Sequence, residues 1–220
     1  MIVWVDTETT GLDPETGDLL EVALAVTDDN LVEVAATTTV VQPITASGIK
    51  AWRARLNPVI QEMHGKNGLL DQIEAGLGAR RHEAEEALMT WVKAVASGRC
   101  ATCSYLRREH FLEGQINCGP VSPPPEGSFK AVDLKNTQLA GSTVGFDRAW
   151  LRKHMPALEV LFHYRSIDVS SLTELAERWV PTVYEGRPKA GAAHRALDDV
   201  RESISYLRYY RDCGFIGGAK

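Results

Sequence analysis

The 220-residue sequence predicts an α/β protein, a mixed five-stranded sheet flanked by helices. Three strand-like stretches crowd the first 43 residues, and the rest alternates helical patterns with two short strands. The composition, 44% hydrophobic and 24% charged, is that of a globular chain able to bury a real core. This length suits one domain, here residues 1–220 with an interruption at about 100–137.

Taken in order, "MIVWVD" (1–6) is continuously apolar up to its acid and reads as a buried strand. "LLEVALAVTDDNLVEVAATTTVVQP" (19–43) reads as two strands joined at the turn-forming Asp28-Asp29-Asn30. Residues 56–76 look helical but broken at Gly65 and Gly68. "HEAEEALMTWVKAVAS" (82–97) is an amphipathic helix with Ala87, Leu88, Trp91, Val92 and Val95 on one face and acids near its start. Periodicity then lapses from about Cys100 to Thr137, around "SPPPEG". "QLAGSTVGFD" (138–147) resumes as a short strand entering a loop, and a helix runs to Met155, where Pro156 starts a new turn. "YRSIDV" (164–169) is a strand, and "SSLTELAERWV" (170–180) a helix capped by Ser170 or Ser171. "HRALDDVRESISYLRYYRDC" (194–213) is the last amphipathic helix.

No apolar run is long enough to span a bilayer, and the N-terminus lacks a signal-peptide pattern, so a cytoplasmic protein is expected. Its four cysteines then suit thiols or metal ligands better than disulfides. The net charge of −5 argues against a long nonspecific grip on a phosphate backbone. It leaves room for a small phosphate substrate approached through bound cations.

The acids at the end of the first strand carry the chemistry. Asp6 and Glu8, two residues apart, point to the same side of an extended chain. They could simply mark a strand turning into solvent. Held together they repel, and a hard divalent cation between them is the economical explanation. Asp147 starts a helix after a strand and loop, where it could otherwise satisfy free N–H groups. His194 stands four and five residues before Asp198 and Asp199, and could alternatively be a helix-entry residue bonded to backbone.

With "DTETTGLDP", "GFDRAWL" and "HRALDD" in this order, the sequence resembles the DEDDh family of 3′→5′ exonucleases, with its ribonuclease H-like fold. Within that family it is most similar to the oligoribonucleases, through "EMHGKNGL" and "FHYRSIDVSSLTELAERW" as well. The resemblance implies that Asp6, Glu8, Asp147 and Asp199 hold two Mg²⁺ or Mn²⁺ ions for hydrolysis of a phosphodiester. His194 is then the general base, since imidazole can be neutral near physiological pH. A regular helix would pair His194 with Asp198; the family spacing selects Asp199, which requires His194 to precede the helix. Gly191 and Pro188 permit that.

The same resemblance implies that Leu12 wedges between terminal bases, its alternative being a buried turn leucine. It places His64, Thr143, Tyr164, Arg165, Ser170 and Lys189 at bases and phosphates, with Arg165 and Ser170 on the 5′ phosphate of a very short strand. Tyr164 and Arg165 could instead be an ordinary surface pair. The partners implied are short single-stranded RNA, with DNA as the alternative, and a second copy of the chain reached by Tyr164. Three positions depart from the family: Val59 replaces a stacking tryptophan for which Trp52 could substitute, Ser142-Thr143 replaces Asn-Ser, and Lys189 lies one residue farther from His194.

Residues 100–137 have no counterpart in compact members of the family. Cys100, Cys103, His110 and Cys118 form a set that a structural zinc accepts, the alternative being unligated thiols. The segment should begin at the end of the sheet opposite the acids. Two other functions remain: a proofreading-like exonuclease on longer single-stranded DNA or RNA, or an inactive nucleic-acid-binding module.

Overall fold

The structure, a computed structural model, describes residues 1–98, 131–189, 191 and 194–216. One sheet contains β1 (Ile2–Thr9), β2 (Leu19–Thr27), β3 (Glu33–Val40), β4 (Leu139–Gly141) and β5 (Ser166–Asp168), in the order β3-β2-β1-β4-β5. The β1–β2 and β2–β3 pairs are antiparallel, whereas β1–β4 and β4–β5 are parallel. The sheet is mixed, as the sequence predicts. Its three parallel strands share one carboxyl end, the usual place for a site in an open α/β sheet.

The helices are α1 (Ile49–Arg53), α2 (Pro58–Lys66), α3 (Leu69–Glu74), α4 (Arg81–Ala96), α5 (Val144–His154), α6 (Pro156–Glu159), α7 (Val169–Trp179), α8 (Pro181–Glu185) and α9 (Ala196–Asp212). Alternation along β1 and β2 sorts the core into two layers. Val3, Val5 and Leu24 pack with Leu88 and Val92 of α4 and Trp150 and Leu151 of α5. On the other face Trp4, Ala23 and Ala25 meet Val200, Ile204 and Tyr210 of α9. The small alanines let α9 lie close to the sheet. Asp6 and Glu8 continue the Trp4 side of β1, so they face the start of α9.

Several details differ from the sequence reading. Helix α2 runs through Gly65, and the break falls at Gly68, whose φ of 78° is left-handed. Helices α1 and α8 are too short to show a period. On α4 the inward position is Ala84, while Ala87 is exposed. The cap of α7 is Asp168, whose carboxylate accepts from the Ser170 amide, rather than either serine.

The amide of Val132 donates to the Ala96 carbonyl at 3.0 Å, so the described flanks of the insertion meet at the end of α4. From there the chain enters β4 at Leu139, paired with Val3, the end of the sheet away from Glu8. Cys100, Cys103, His110 and Cys118, and with them the zinc reading, lie outside the described residues. Among the described residues, no helix is long and apolar enough to cross a membrane.

Candidate active site

Carboxylates from three elements converge at the shared end of the parallel strands. Asp6 and Glu8 come from β1 and Asp199 from the first turn of α9; one ligand oxygen of each lies within 4.8 Å of the others. Asp147, in the first turn of α5 and buried, accepts from Thr7 Oγ1 at 2.8 Å. Thr7 sits between the two β1 acids and points to the opposite face, so one strand organises three of the four carboxylates. Asp198 is exposed, whereas Asp199 turns inward, as the family spacing implies.

Burial is the largest influence lifting each of the four acids above its ordinary value. The Asp6 carboxyl is pushed up further by Asp147, Glu8, Asp199 and Glu21. Glu8 rises to about 8, with Asp199 and Glu21 adding to burial and Arg195 opposing them. Asp147 is raised despite the Thr7 hydroxyl, and Asp199 is raised with Glu202 as the next contributor. Acids crowded in this way repel one another unless a cation sits among them. An all-oxygen, all-anionic donor set fits a hard divalent cation.

A pH dependence follows. The metal-free folded protein holds protons at this cluster that the unfolded chain has lost, so the contribution of Glu8 to stability is fully present below about 4.5 and is lost as pH rises through about 8. A divalent cation such as Mn²⁺ held by these acids would relieve that repulsion. The rise in Tm on adding saturating Mn²⁺ is therefore expected to be larger at about pH 8 than at about pH 6. Differential scanning calorimetry checks this; an equal shift at both pH values would uncouple the cluster from the metal.

His194 precedes α9, as required, in a left-handed conformation with φ of 43°. Its imidazole is exposed and makes no hydrogen bond among the described residues. It borders a cavity of about 710 Å³ shared with Val59, Met63 and Lys66.

The remaining predicted contacts divide. Leu12 is 88% exposed, which overturns the buried-leucine alternative. Thr143, left-handed at the start of α5, meets Ser170 with hydroxyl oxygens 2.9 Å apart. Arg165 and Tyr164 are exposed neighbours, the guanidinium 5.4 Å from the ring centre, and Lys189 is exposed. His64 is corrected: it is fully buried, its Nε2 3.1 Å from the Thr9 carbonyl and 3.8 Å from Glu8. A ring enclosed in this way supports the end of β1 and offers no open face to a base. Trp52 cannot replace a stacking ring at Val59, because it is buried with Nε1 donating to Asp18 at 2.7 Å.

Sequence reasoning missed Glu21 and Arg195. Glu21, 1% exposed, stands opposite Glu8 in the β1–β2 ladder and is bonded by Arg195. The available signal was a lone acid inside the apolar run "LLEVALAV".

The Exonuclease (RNase T) family profile matches residues 3–110 and 130–207, leaving out part of the insertion. The oligoribonuclease of Leifsonia xyli is 33% identical over 98% of this chain and 84% of its own length. That of Corynebacterium efficiens is 36% identical over 98% and 79%. The chain belongs to the oligoribonuclease family of exonucleases. It is a 3′→5′ exonuclease, a phosphodiester hydrolase of a family that uses divalent metals. Two solved structures share the ribonuclease H-like fold. Exonuclease I of Methylocaldum szegediense matches with a TM-score of 0.56 and 19% identity, over 96% of this chain and 40% of that one. Exonuclease I of Escherichia coli, in complex with a dT13 oligonucleotide, matches with a TM-score of 0.56 and 15% identity, over 97% and 41%.

Proposed function

We propose that this member of the oligoribonuclease family removes 5′-mononucleotides from very short RNA strands, using two Mg²⁺ or Mn²⁺ ions held by Asp6, Glu8, Asp147 and Asp199. The observation that carries this reading is the convergence of Asp6, Glu8 and Asp199, with Asp147 held to the same strand through Thr7; His194, just before the helix that bears Asp199, lines a neighbouring cavity. Bound divalent ions would lower the pKa of the attacking water and stabilise charge on the departing 3′ oxygen.

The chain's own residues do the rest. His194 accepts the proton of the water as its oxygen attacks phosphorus, and the 3′ oxygen of the shortened strand leaves. Leu12 packs on the terminal bases, and Arg165, Thr143 and Ser170 hold phosphate oxygens. Asp168 fixes Thr143 and Ser170, accepting from the Thr143 amide at 3.1 Å and the Ser170 hydroxyl at 2.9 Å. Tyr164, 74% exposed, is presented to a second copy of the chain in a homodimer.

Chromatography of products from 5′-labelled RNA tests the reaction. The expected result is stepwise shortening from the 3′ end with release of 5′-mononucleotides, dependent on added divalent metal. Internal cuts or 3′-phosphorylated products would overturn it.

A further inference from the structure

We propose that Glu21 and Arg195 are a positioning pair that fixes the backbone carrying both His194 and Asp199. The inference rests on the roles given above to those two residues. Helix α9 has no side-chain cap of its own, although its first turn carries Asp199. Glu21 reaches from β2 and supplies the cap, accepting from the Ala196 amide at 3.2 Å. A carboxylate there is favoured by the free N–H groups of the first turn.

The same carboxylate receives Arg195 Nε at 3.0 Å on one oxygen and Nη2 at 2.5 Å on the other. Thr38 Oγ1 adds a bond at 3.1 Å, so both oxygens are fully engaged. Arg195 Nη2 also donates to Gln72 at 3.2 Å, and Asn67 Nδ2 donates to the His194 carbonyl. Three separate elements thereby pin the residues on which the left-handed turn at His194 depends. A non-glycine residue in that conformation is strained and needs such support.

Geometry ties the pair to the metal ligands as well. Glu21 is the ladder partner of Glu8, so one residue registers α9 against the strand that bears Asp6 and Glu8. Arg195 also pairs the charge of Glu21, which would otherwise be a fifth acid at the site. Only a planar fork can engage both carboxylate oxygens and still reach Gln72; a lysine supplies the charge without the orientation.

The test compares kcat, KM and thermal melting of Arg195→Lys, Arg195→Met, Glu21→Gln and the Arg195→Met/Glu21→Gln double variant on a dinucleotide with saturating Mn²⁺. Loss of support around ligands that must be held within fractions of an ångström is expected to lower kcat about 10- to 100-fold in both Arg195 variants, with KM near wild type. Glu21→Gln keeps the shape and the Thr38 contact, and is expected to fold and still lose kcat. The double variant should lose no more than Arg195→Met, because the two side chains act as one unit. Full kcat in folded Arg195→Met and Glu21→Gln, or losses that only track the unfolded fraction, would overturn the pair. His194→Ala and Asp199→Asn are measured alongside. If they lose turnover while the pair variants keep it, the pair alone falls; if they keep it, the reading of the site falls and the pair with it.

Discussion

Asp6→Asn is expected to lose turnover by at least about 10³-fold while leaving a protein that folds as well as wild type without metal. A catalytic cation contributes several kcal/mol to the transition state, and each 1.36 kcal/mol is about tenfold in rate. Burial and four neighbouring acids, Asp147, Glu8, Asp199 and Glu21, all disfavour a negative charge on Asp6 in the metal-free fold, and a cation there would offset them. Asparagine keeps the shape and removes that charge. Metal-free melting at about pH 8 should show the variant at or above wild type, because a carboxylate lifted by folding weakens the fold once it ionises. Asp147→Asn should behave alike, since an amide oxygen still accepts the Thr7 hydroxyl. A folded Asp6→Asn protein with near-normal rates would remove the metal site from the mechanism.

The second large effect is on substrate length. Wild type is expected to cleave a dinucleotide faster than a 20-mer, and Arg165→Ala to lose most of its rate on the dinucleotide while changing little on the 20-mer. A long-strand nuclease gathers affinity from many cations along the backbone. Here 24 lysines and arginines face 29 acids, and two arginines beside the metal ligands are already engaged, Arg195 with Glu21 and Arg148 with Glu159. Arg165 makes no ion pair among the described residues and stands exposed beside Tyr164. It is therefore free to take a terminal phosphate bidentately and spend that binding on placing the scissile bond. Initial rates on both substrates for both proteins decide the matter. Equal wild-type rates, or an Arg165→Ala loss that is independent of length, would favour a general single-strand exonuclease.

Some of this was legible because its physics is local. Period-two alternation puts Asp6 and Glu8 on one side of β1 whatever surrounds them. The five strands followed from apolar runs and turn residues, and glycine and proline upstream of His194 allowed it to precede its helix. Other features depended on partners remote in the chain. Gly65 read as a breaker, but packing carried the helix through to Gly68. His64 matched a substrate-contact position and proved to be enclosed beneath Thr9.

By itself, then, the sequence determined the mixed sheet, its five strands and the shared side of Asp6 and Glu8, because spacing along a strand is a property of neighbouring residues, while its likeness to a family singled out Asp147, Asp199 and His194. Tertiary structure decided which acids meet, by bringing Asp147 onto Thr7 and Asp199 to within 4.8 Å of the β1 pair. It also decided what holds them there. Glu21 and Arg195 lie 174 residues apart and meet only when the alanines of β2 let α9 settle on the sheet. No local pattern encodes that contact; burial of two faces against each other creates it.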